Sequence, residues 1–160
     1  MKVLFSGLFA SMLILSACGN NDGNNNEDAG TNTTANNDNA GSSSGYDSSV
    51  GAGKFQNVQI SPTLDQAKAT AGEKVYDVKC ASCHKLTDER LVGPGWKGVT
   101  QRHKPEWILN FVTNVDEMLE KDPKAQAQLE VCLVRMPNQN LSEDDALQVY
   151  EFMRKNDGVK

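Results

Sequence analysis

The sequence predicts an all-α protein, in which one small helical domain of about a hundred residues follows a disordered tether. Three observations predict this fold class. From residue 64 onward, apolar residues recur at intervals of three and four, which is the period of a helix face. Pro105, Pro123 and Ser142 stand where helices commonly begin. No stretch alternates apolar and polar residues as a half-buried strand would.

The amino terminus is typical of an exported protein. Met1-Lys2 gives a positive start, and the apolar run from Val3 to Leu15 is too short to span a bilayer, so residues 1–17 are predicted to be a signal peptide. The run ends in Leu15-Ser16-Ala17-Cys18, which resembles a bacterial lipobox and implies cleavage before a lipid-modified Cys18. An ordinary signal peptide with an incidental cysteine is the alternative. No other segment has the length of a transmembrane helix, so we expect a lipid-anchored protein.

The next segment has the composition of a linker. From Gly19 to Gly53 it is almost entirely Asn, Gly, Ser, Thr, Ala and Asp, with Tyr46 as its one aromatic residue and no basic residue. Such a composition buries too little apolar surface to offset the entropy of ordering, so residues 18–53, starting at the lipidated cysteine, are predicted to be disordered. A flexible coil of ~35 residues spans roughly 30–35 Å. That length would let a domain sample partners near a membrane, although a plain spacer is equally compatible.

Residues 54–160 are the predicted domain, with a core over about 71–155. They carry fifteen Lys and Arg against sixteen Asp and Glu, so most of the chain's net charge of −5 lies in the linker. This balance gives no indication of nucleic-acid binding, and we expect a monomer.

The first predicted helix runs into Cys80. Its apolar face consists of Leu64, Ala67, Ala71, Val75 and Val78. The start of this helix is open between Ser61-Pro62, an N-cap followed by proline, and the capping-box pattern Thr70-x-x-Glu73.

Three further helices are predicted after an irregular glycine-rich segment, 91–99. One begins at Pro105, and its apolar stripe is Trp107, Ile108, Phe111, Val112 and Val115. The next begins at Asp122-Pro123, and its inner face is Ala125, Leu129 and Cys132. Ser142 caps the last helix, whose inner stripe is Ala146, Val149, Tyr150 and Met153.

The most informative motif is Cys80-Ala81-Ser82-Cys83-His84. C-x-x-C-H is the attachment signature of a c-type haem, because two thiols on one side of a helix end can form thioethers with the porphyrin and the histidine then reaches the iron. A redox dithiol and half of a zinc site are the alternatives, but neither a βαβ context nor a second ligand pair accompanies the motif. The motif therefore predicts one covalent haem c with its iron, held by Cys80, Cys83 and His84.

Cys132 has no partner once the other cysteines are assigned to lipid and haem. We expect it to be a buried thiol that packs as a small apolar residue, with a redox-active or intermolecular thiol as the alternative.

The segment from about 71 to 155 resembles a class I monohaem cytochrome c, in a lipoprotein-anchored bacterial form. The resemblance rests on Gly72, Tyr76, the C-x-x-C-H motif, Gly93-Pro94, the Trp107 helix, Met136-Pro137 and the Tyr150 helix. It implies a cytochrome c-like fold in which the first and last helices cross, with Gly72 against Tyr150. It also implies that the Pro94 carbonyl accepts the ring proton of His84, and that Pro94 and Trp107 lie beside the haem.

On the other side of the iron, the resemblance implies Met136 as the sixth ligand, in irregular chain before Pro137. Met153, on the inner stripe of the last helix, is expected to be a core methionine. Met118, His103 and an open position remain as alternatives. The chain departs from the smallest members of the family by an extra helical passage between Asp116 and Arg135, which leaves room for Cys132 near the haem edge.

Together these features predict a membrane-tethered one-electron carrier between respiratory complexes, with no substrate conversion of its own. The expected partners are a quinol-oxidising complex and a terminal oxidase or reductase. The expected location is the cell membrane, facing the periplasm or the extracytoplasmic side. The alternatives are a haem-based sensor or small peroxidase-like protein with a labile distal ligand, and a haem-free thiol protein. An excess of basic residues around the expected haem edge could steer an acidic partner, although a mixed solvated surface is equally compatible. These residues are Lys79, Lys85, Arg90, Lys97, Arg102 and Lys104.

Overall fold

A computed structural model describes residues 46–160. Six helices follow one another: α1 (Gln66–Lys79), α2 (Val99–Arg102), α3 (Pro105–Thr113), α4 (Val115–Lys121), α5 (Pro123–Cys132) and α6 (Glu143–Asn156). Residues 46–160 contain no strand, only an isolated bridge between His84 and Arg90. This confirms the all-α prediction. The predicted signal peptide, Cys18 and the linker up to residue 45 lie outside the described residues.

The contact between α1 and α6 is the most extensive one between helices. It is close because Gly72 has no side chain: a Cβ there would collide with the carbonyl oxygen of Gln148 and lie 2.9 Å from the backbone nitrogen of Val149. The glycine therefore meets the backbone of α6 just before Tyr150, rather than the Tyr150 ring that the sequence suggested. The helix crossing itself is as expected.

Helix α1 differs from its prediction in its start and in its buried face. Asp65 is the N-cap, and its carboxylate accepts a hydrogen bond from the backbone nitrogen of Lys68 at 3.0 Å. The buried residues are Ala69, Gly72 and Tyr76, whereas Val78 is 82% exposed. The predicted stripe was therefore wrong at Ala67 and Val78, which are exposed, whereas Ala71 and Val75 are half-buried. Close packing against α6 selects the face that carries the glycine.

The other helix starts agree with the sequence. Pro105 and Pro123 are first helical residues, and Asp122 caps α5 by accepting a hydrogen bond from the Ala125 backbone at 2.9 Å. Ser142 caps α6 in a capping box with Asp145. Two short helices, α2 and α4, were not predicted individually. Helix α4 begins at Val115 after a break at Asn114, where the sequence suggested one continuous stripe.

The segment from Tyr46 to Gly53 packs on the domain, although its composition assigned it to the disordered linker. Val50 and Ala52 are buried, and the Asn110 side chain donates hydrogen bonds to the carbonyls of Val50 (3.1 Å) and Phe55 (2.8 Å). Long-range hydrogen bonds therefore order this segment despite its polarity. Elsewhere the division of the chain into signal, linker and domain stays a prediction. No helix among residues 46–160 is long and apolar enough to cross a membrane.

Candidate functional site

An apolar cleft lies between the segment that follows α1 and the walls formed by α3, α5 and residues 134–137. It consists of two cavities of about 80 and 360 Å³. Both are lined by His84, Pro94, Phe111, Gln128 and Met136, so they form one continuous space.

The C-x-x-C-H motif forms one wall of this cleft. Cys80 is the C-cap of α1, and its carbonyl accepts hydrogen bonds from the backbone nitrogens of Cys83 and His84, both at 3.0 Å. This turn puts Cys83 and His84 on the wall of the first cavity. Cys80 is only 6% exposed, does not line either cavity, and its burial raises its pKa to about 11.

The His84 ring is fixed by the glycine-proline pair that follows it. Nδ1 lies 2.9 Å from the carbonyl oxygen of Pro94. Because a carbonyl only accepts, Nδ1 carries the proton and the lone pair of Nε2 is free to bind a metal. Burial lowers the pKa of His84, against the opposing effect of the Pro94 hydrogen bond, and so favours the neutral ring.

Aromatic residues support the same histidine from behind. The Tyr76 hydroxyl donates a hydrogen bond to the backbone carbonyl of His84 at 2.7 Å. The ring centroid of Trp96 lies 5.6 Å from that of His84 and 4.9 Å from that of Tyr76. The backbone nitrogen of Gly93 donates to the Cys83 carbonyl at 2.9 Å, which holds the following loop against the motif. Neighbouring residues therefore hold both the backbone and the ring of His84 in place.

Of the methionines, Met136 has the position that the sequence predicted for a ligand. It is half-buried and lines both cavities, as His84 does. Met118 is fully buried, and its sulfur accepts a hydrogen bond from the Ala52 backbone at 3.0 Å, away from the cleft lining. Met153 is 3% exposed on α6 and reaches the second cavity as part of the core.

Trp107 and His103 form the far wall of the second cavity. Their rings stack, with centroids 4.0 Å apart, and the Trp107 indole nitrogen donates to the fully buried carboxylate of Asp122 at 3.1 Å. Among the described residues, Nδ1 of His103 is buried without a hydrogen-bond partner. Burial lowers the pKa of His103, and the nearby charges of Arg102 and Lys124 add to this effect.

Comparison with known proteins identifies the family. The model of the cytochrome c family matches residues 69–157. The chain belongs to the cytochrome c family. No curated protein matches it at a significant level.

Three solved structures of cytochrome c from Rhodothermus marinus are similar to this cytochrome. One shares 30% identity, with 69% of this chain and 92% of that chain covered and a TM-score of 0.63. An engineered form shares 29% identity over 69% and 93% of the two chains with a TM-score of 0.62. The same engineered protein bound to a carbene intermediate shares 29% identity over the same fractions, with a TM-score of 0.60. The family implies covalently bound haem c with its iron, and haem-based electron transfer.

The residues of the cleft fit a haem. The walls are mainly apolar, as a porphyrin requires, and the residues that line both cavities include a histidine and a methionine, two residue types that bind haem iron. Cys83, His84 and Met136 could hold the group, and Cys80 is the member of the motif that the structure does not bring to the wall.

Sequence reasoning missed one residue of this site, Gln128, and one contact, made by Tyr76. Gln128 lines both cavities, and it lies three residues after Ala125 and four before Cys132, so the helical period could have placed it on the same face. The hydrogen bond from Tyr76 to the His84 backbone had no signal in the sequence. Cys132 lines the first cavity, where the sequence left room for it. It is half-buried, whereas the sequence predicted a buried thiol.

Proposed function

We propose that this cytochrome is a one-electron carrier of class I type, with thioether bonds from Cys80 and Cys83 and with His84 and Met136 as the axial ligands. The observation that carries the proposal is that His84 and Met136 line the same two adjoining cavities. Haem, when bound, supplies the one-electron couple of its iron. The chain supplies the ligands and an apolar environment, and it keeps the imidazole oriented through Pro94.

The ligand pair determines the kind of function. A thioether donates weakly and favours the ferrous state, so a histidine–methionine pair gives a higher potential than two histidines. Two protein ligands also leave no open position for a substrate. For these reasons we propose no substrate conversion by this chain, and we place a sensor or peroxidase role second.

The location and the partners follow from the amino-terminal sequence. We propose that Cys18 is lipidated and that the domain is tethered to the cell membrane, on the periplasmic or extracytoplasmic side. Two or more acyl chains would hold it there stably. The redox partners would be a quinol-oxidising complex as donor and a terminal oxidase or reductase as acceptor. Replacement of Cys18 by Ser should move the haem-loaded protein from the membrane fraction into the soluble fraction.

Ligation is tested by absorption spectroscopy of the full-length, haem-loaded protein. The ferric wild type should be low-spin with a methionine–iron charge-transfer band. Met136→Ala should lose this band and its ferrous form should bind carbon monoxide. Met118→Leu, which preserves the buried volume, should keep the band. A wild type without the band that binds carbon monoxide at once would refute the carrier proposal and favour the sensor or peroxidase role.

A further inference from the structure

Two carboxylates are buried in the part of the chain that the structure describes, and their partners differ. Glu151 is 6% exposed and forms an ion pair of 2.6 Å with the buried guanidinium of Arg154. Asp122 is fully buried, yet it takes part in none of the ion pairs there. Lys124, two residues further on, donates instead to the carbonyl of Ser48 at 3.1 Å. A buried carboxylate without a cation reduces stability, so Asp122 is an unfavourable choice for a residue that only caps a helix.

Three uncharged donors hold the Asp122 carboxylate. Oδ1 accepts hydrogen bonds from the backbone nitrogen of Ala125 at 2.9 Å and from the indole nitrogen of Trp107 at 3.1 Å. Oδ2 accepts one from the Tyr46 hydroxyl at 2.8 Å. Both oxygens therefore act as acceptors, which is the hydrogen-bonding pattern of an ionised carboxylate. Asp122 thus brings one negative charge into the interior.

This charge lies directly behind the wall of the cleft. Ala125 lines the first cavity and Trp107 lines the second, and both donate to Oδ1 of Asp122. Asp122 itself lines neither cavity, so its neighbours separate the carboxylate from the space for the cofactor. Because an interior weakens the field of a charge less than water does, the field of Asp122 extends into the cleft.

His103, on the wall of the second cavity, does not neutralise this charge. Burial, followed by the charges of Arg102 and Lys124, lowers the pKa of His103, while the charge of Asp122 opposes this change. The opposing effect indicates that the field of Asp122 reaches the cavity wall. The lowered pKa leaves the ring uncharged at neutral pH, so His103 supplies no positive charge to balance the carboxylate.

We propose that Asp122 lowers the reduction potential of the haem, because its buried negative charge stabilises the ferric state more than the ferrous state. Oxidation passes one electron to the redox acceptor and leaves one additional positive charge in the cleft, with no bond made or broken. The fixed carboxylate behind the wall attracts that charge. Asp122 forms no hydrogen bond with either proposed axial ligand, so it acts through its charge alone. This inference rests on the proposed one-electron function and names a residue that adjusts its potential against the effect of the methionine.

The test is the midpoint potential of the full-length, haem-loaded protein at neutral pH, measured by spectroelectrochemical titration. Asp122→Asn keeps the shape of the side chain and can still accept from Ala125 and Trp107, while its amide nitrogen can donate to the Tyr46 hydroxyl. We expect its potential to rise, so that the ferric-to-ferrous ratio at a fixed ambient potential falls about tenfold, which is ~59 mV for one electron. Asp122→Ser is a second uncharged variant that can still cap α5, and its potential should shift in the same direction.

Two control variants separate charge from packing. Tyr46→Phe removes a hydrogen bond to the same carboxylate but keeps its charge, so its potential should not rise. Asp144→Asn removes an exposed carboxylate in the first turn of α6, where water screens the charge, and its potential should equal that of the wild type. By linkage, Asp122→Asn should lower the free energy of unfolding more in the ferric protein than in the ferrous protein. A purely structural role would give equal losses in the two states.

An unchanged potential in both Asp122 variants would overturn the inference, and so would an equal rise in Tyr46→Phe or in Asp144→Asn. A shift that is accompanied by loss of the methionine–iron band in Asp122→Asn would overturn it as well, because a changed ligand would then explain the shift. None of these results affects the carrier function. A wild type without the band would refute the ligand assignment, and the sign of the shift in Asp122→Asn would still decide the role of the charge.

Discussion

The Nδ1 atom of His84 lies 2.9 Å from the carbonyl oxygen of Pro94, and the intervening loop approaches the ring so closely that Gly93 has no room for a side chain. A Cβ at this position would collide with Cε1 of His84 and lie 2.8 Å from Nδ1. The same short segment therefore orients the imidazole and limits its movement.

Gly93→Ala should displace the His84 ring or push the loop away from it. Either change weakens the hydrogen bond that holds the ring, so we expect a partly high-spin ferric spectrum and a changed reduction potential. Gly158→Ala is the control for adding a methyl group to a loop glycine, because its Cβ would have no atom within 4 Å, although its φ of 90° makes the substitution itself unfavourable. It should cost about 1 kcal/mol of stability and leave the spectrum unchanged.

Gly72→Ala should strongly destabilise the crossing of α1 and α6. The added methyl group meets the backbone of Gln148 and Val149, which cannot turn away as a side chain could. We expect a loss of about 3 kcal/mol in the free energy of unfolding, measured by guanidinium denaturation. The exposed Lys74→Ala on the same helix should stay within about 0.5 kcal/mol of wild type. Equal stabilities for the two variants would contradict the close contact.

The buried carboxylate of Asp122 links the segment before the domain to Trp107. It accepts hydrogen bonds from the Tyr46 hydroxyl at 2.8 Å and from the Trp107 indole at 3.1 Å. Asp122→Asn turns one acceptor into a donor and should cost about 2 kcal/mol, whereas Tyr46→Phe should cost about 1 kcal/mol. Ser48→Ala, on the same segment, is the control.

Hydrogen exchange gives a local readout for these variants. The Ala52 amide donates to the sulfur of Met118 and the Phe55 amide donates to the side chain of Asn110. Both amides should exchange faster in Tyr46→Phe than in Ser48→Ala. Unchanged exchange would mean that Tyr46 does not help to hold the segment.

The stability of the protein should fall at alkaline pH, in part through Tyr46. Burial, followed by the hydrogen bond to Asp122 and its charge, raises the pKa of Tyr46 above the ordinary value of 10.0. A raised folded-state pKa means that this contribution is fully present below pH 10 and is lost as the pH rises toward the folded value. Tyr46→Phe should therefore show a smaller decline in unfolding free energy between pH 9 and pH 11. A parallel decline in both proteins would assign the effect to other groups, such as Tyr76 and Tyr150, whose pKa values burial also raises.

The local signals in the sequence predicted the features that depend on neighbouring residues. Asp122-Pro123 and Ser142 begin helices because a cap needs only the backbone next to it. The C-x-x-C-H motif predicted that Cys80, Cys83 and His84 would hold a cofactor, and the structure brings Cys83 and His84 to the cleft but not Cys80.

Features that depend on residues distant in the sequence could not be predicted from local patterns. The buried face of α1 is determined by α6 through Gly72, so Val78 is exposed despite its place in the apolar stripe. The segment from Tyr46 to Gly53 is ordered by Asn110, Met118 and Asp122, and nothing in its own composition indicates them. In both cases the decisive partner lies more than fifty residues away.

The hydrogen bond from Tyr46 to Asp122 fixes the position at which the amino-terminal segment meets α5. Asp122 precedes the first turn of α5, and Leu133 follows its last turn, so the ten-residue helix separates them by about 15 Å. The segment that begins at Tyr46 therefore joins the domain at the Asp122 end of α5, and Leu133 lies at the opposite end of this helix. If the amino terminus is held at a membrane, as proposed, the length of α5 separates Leu133 from the residue at which the chain joins the domain.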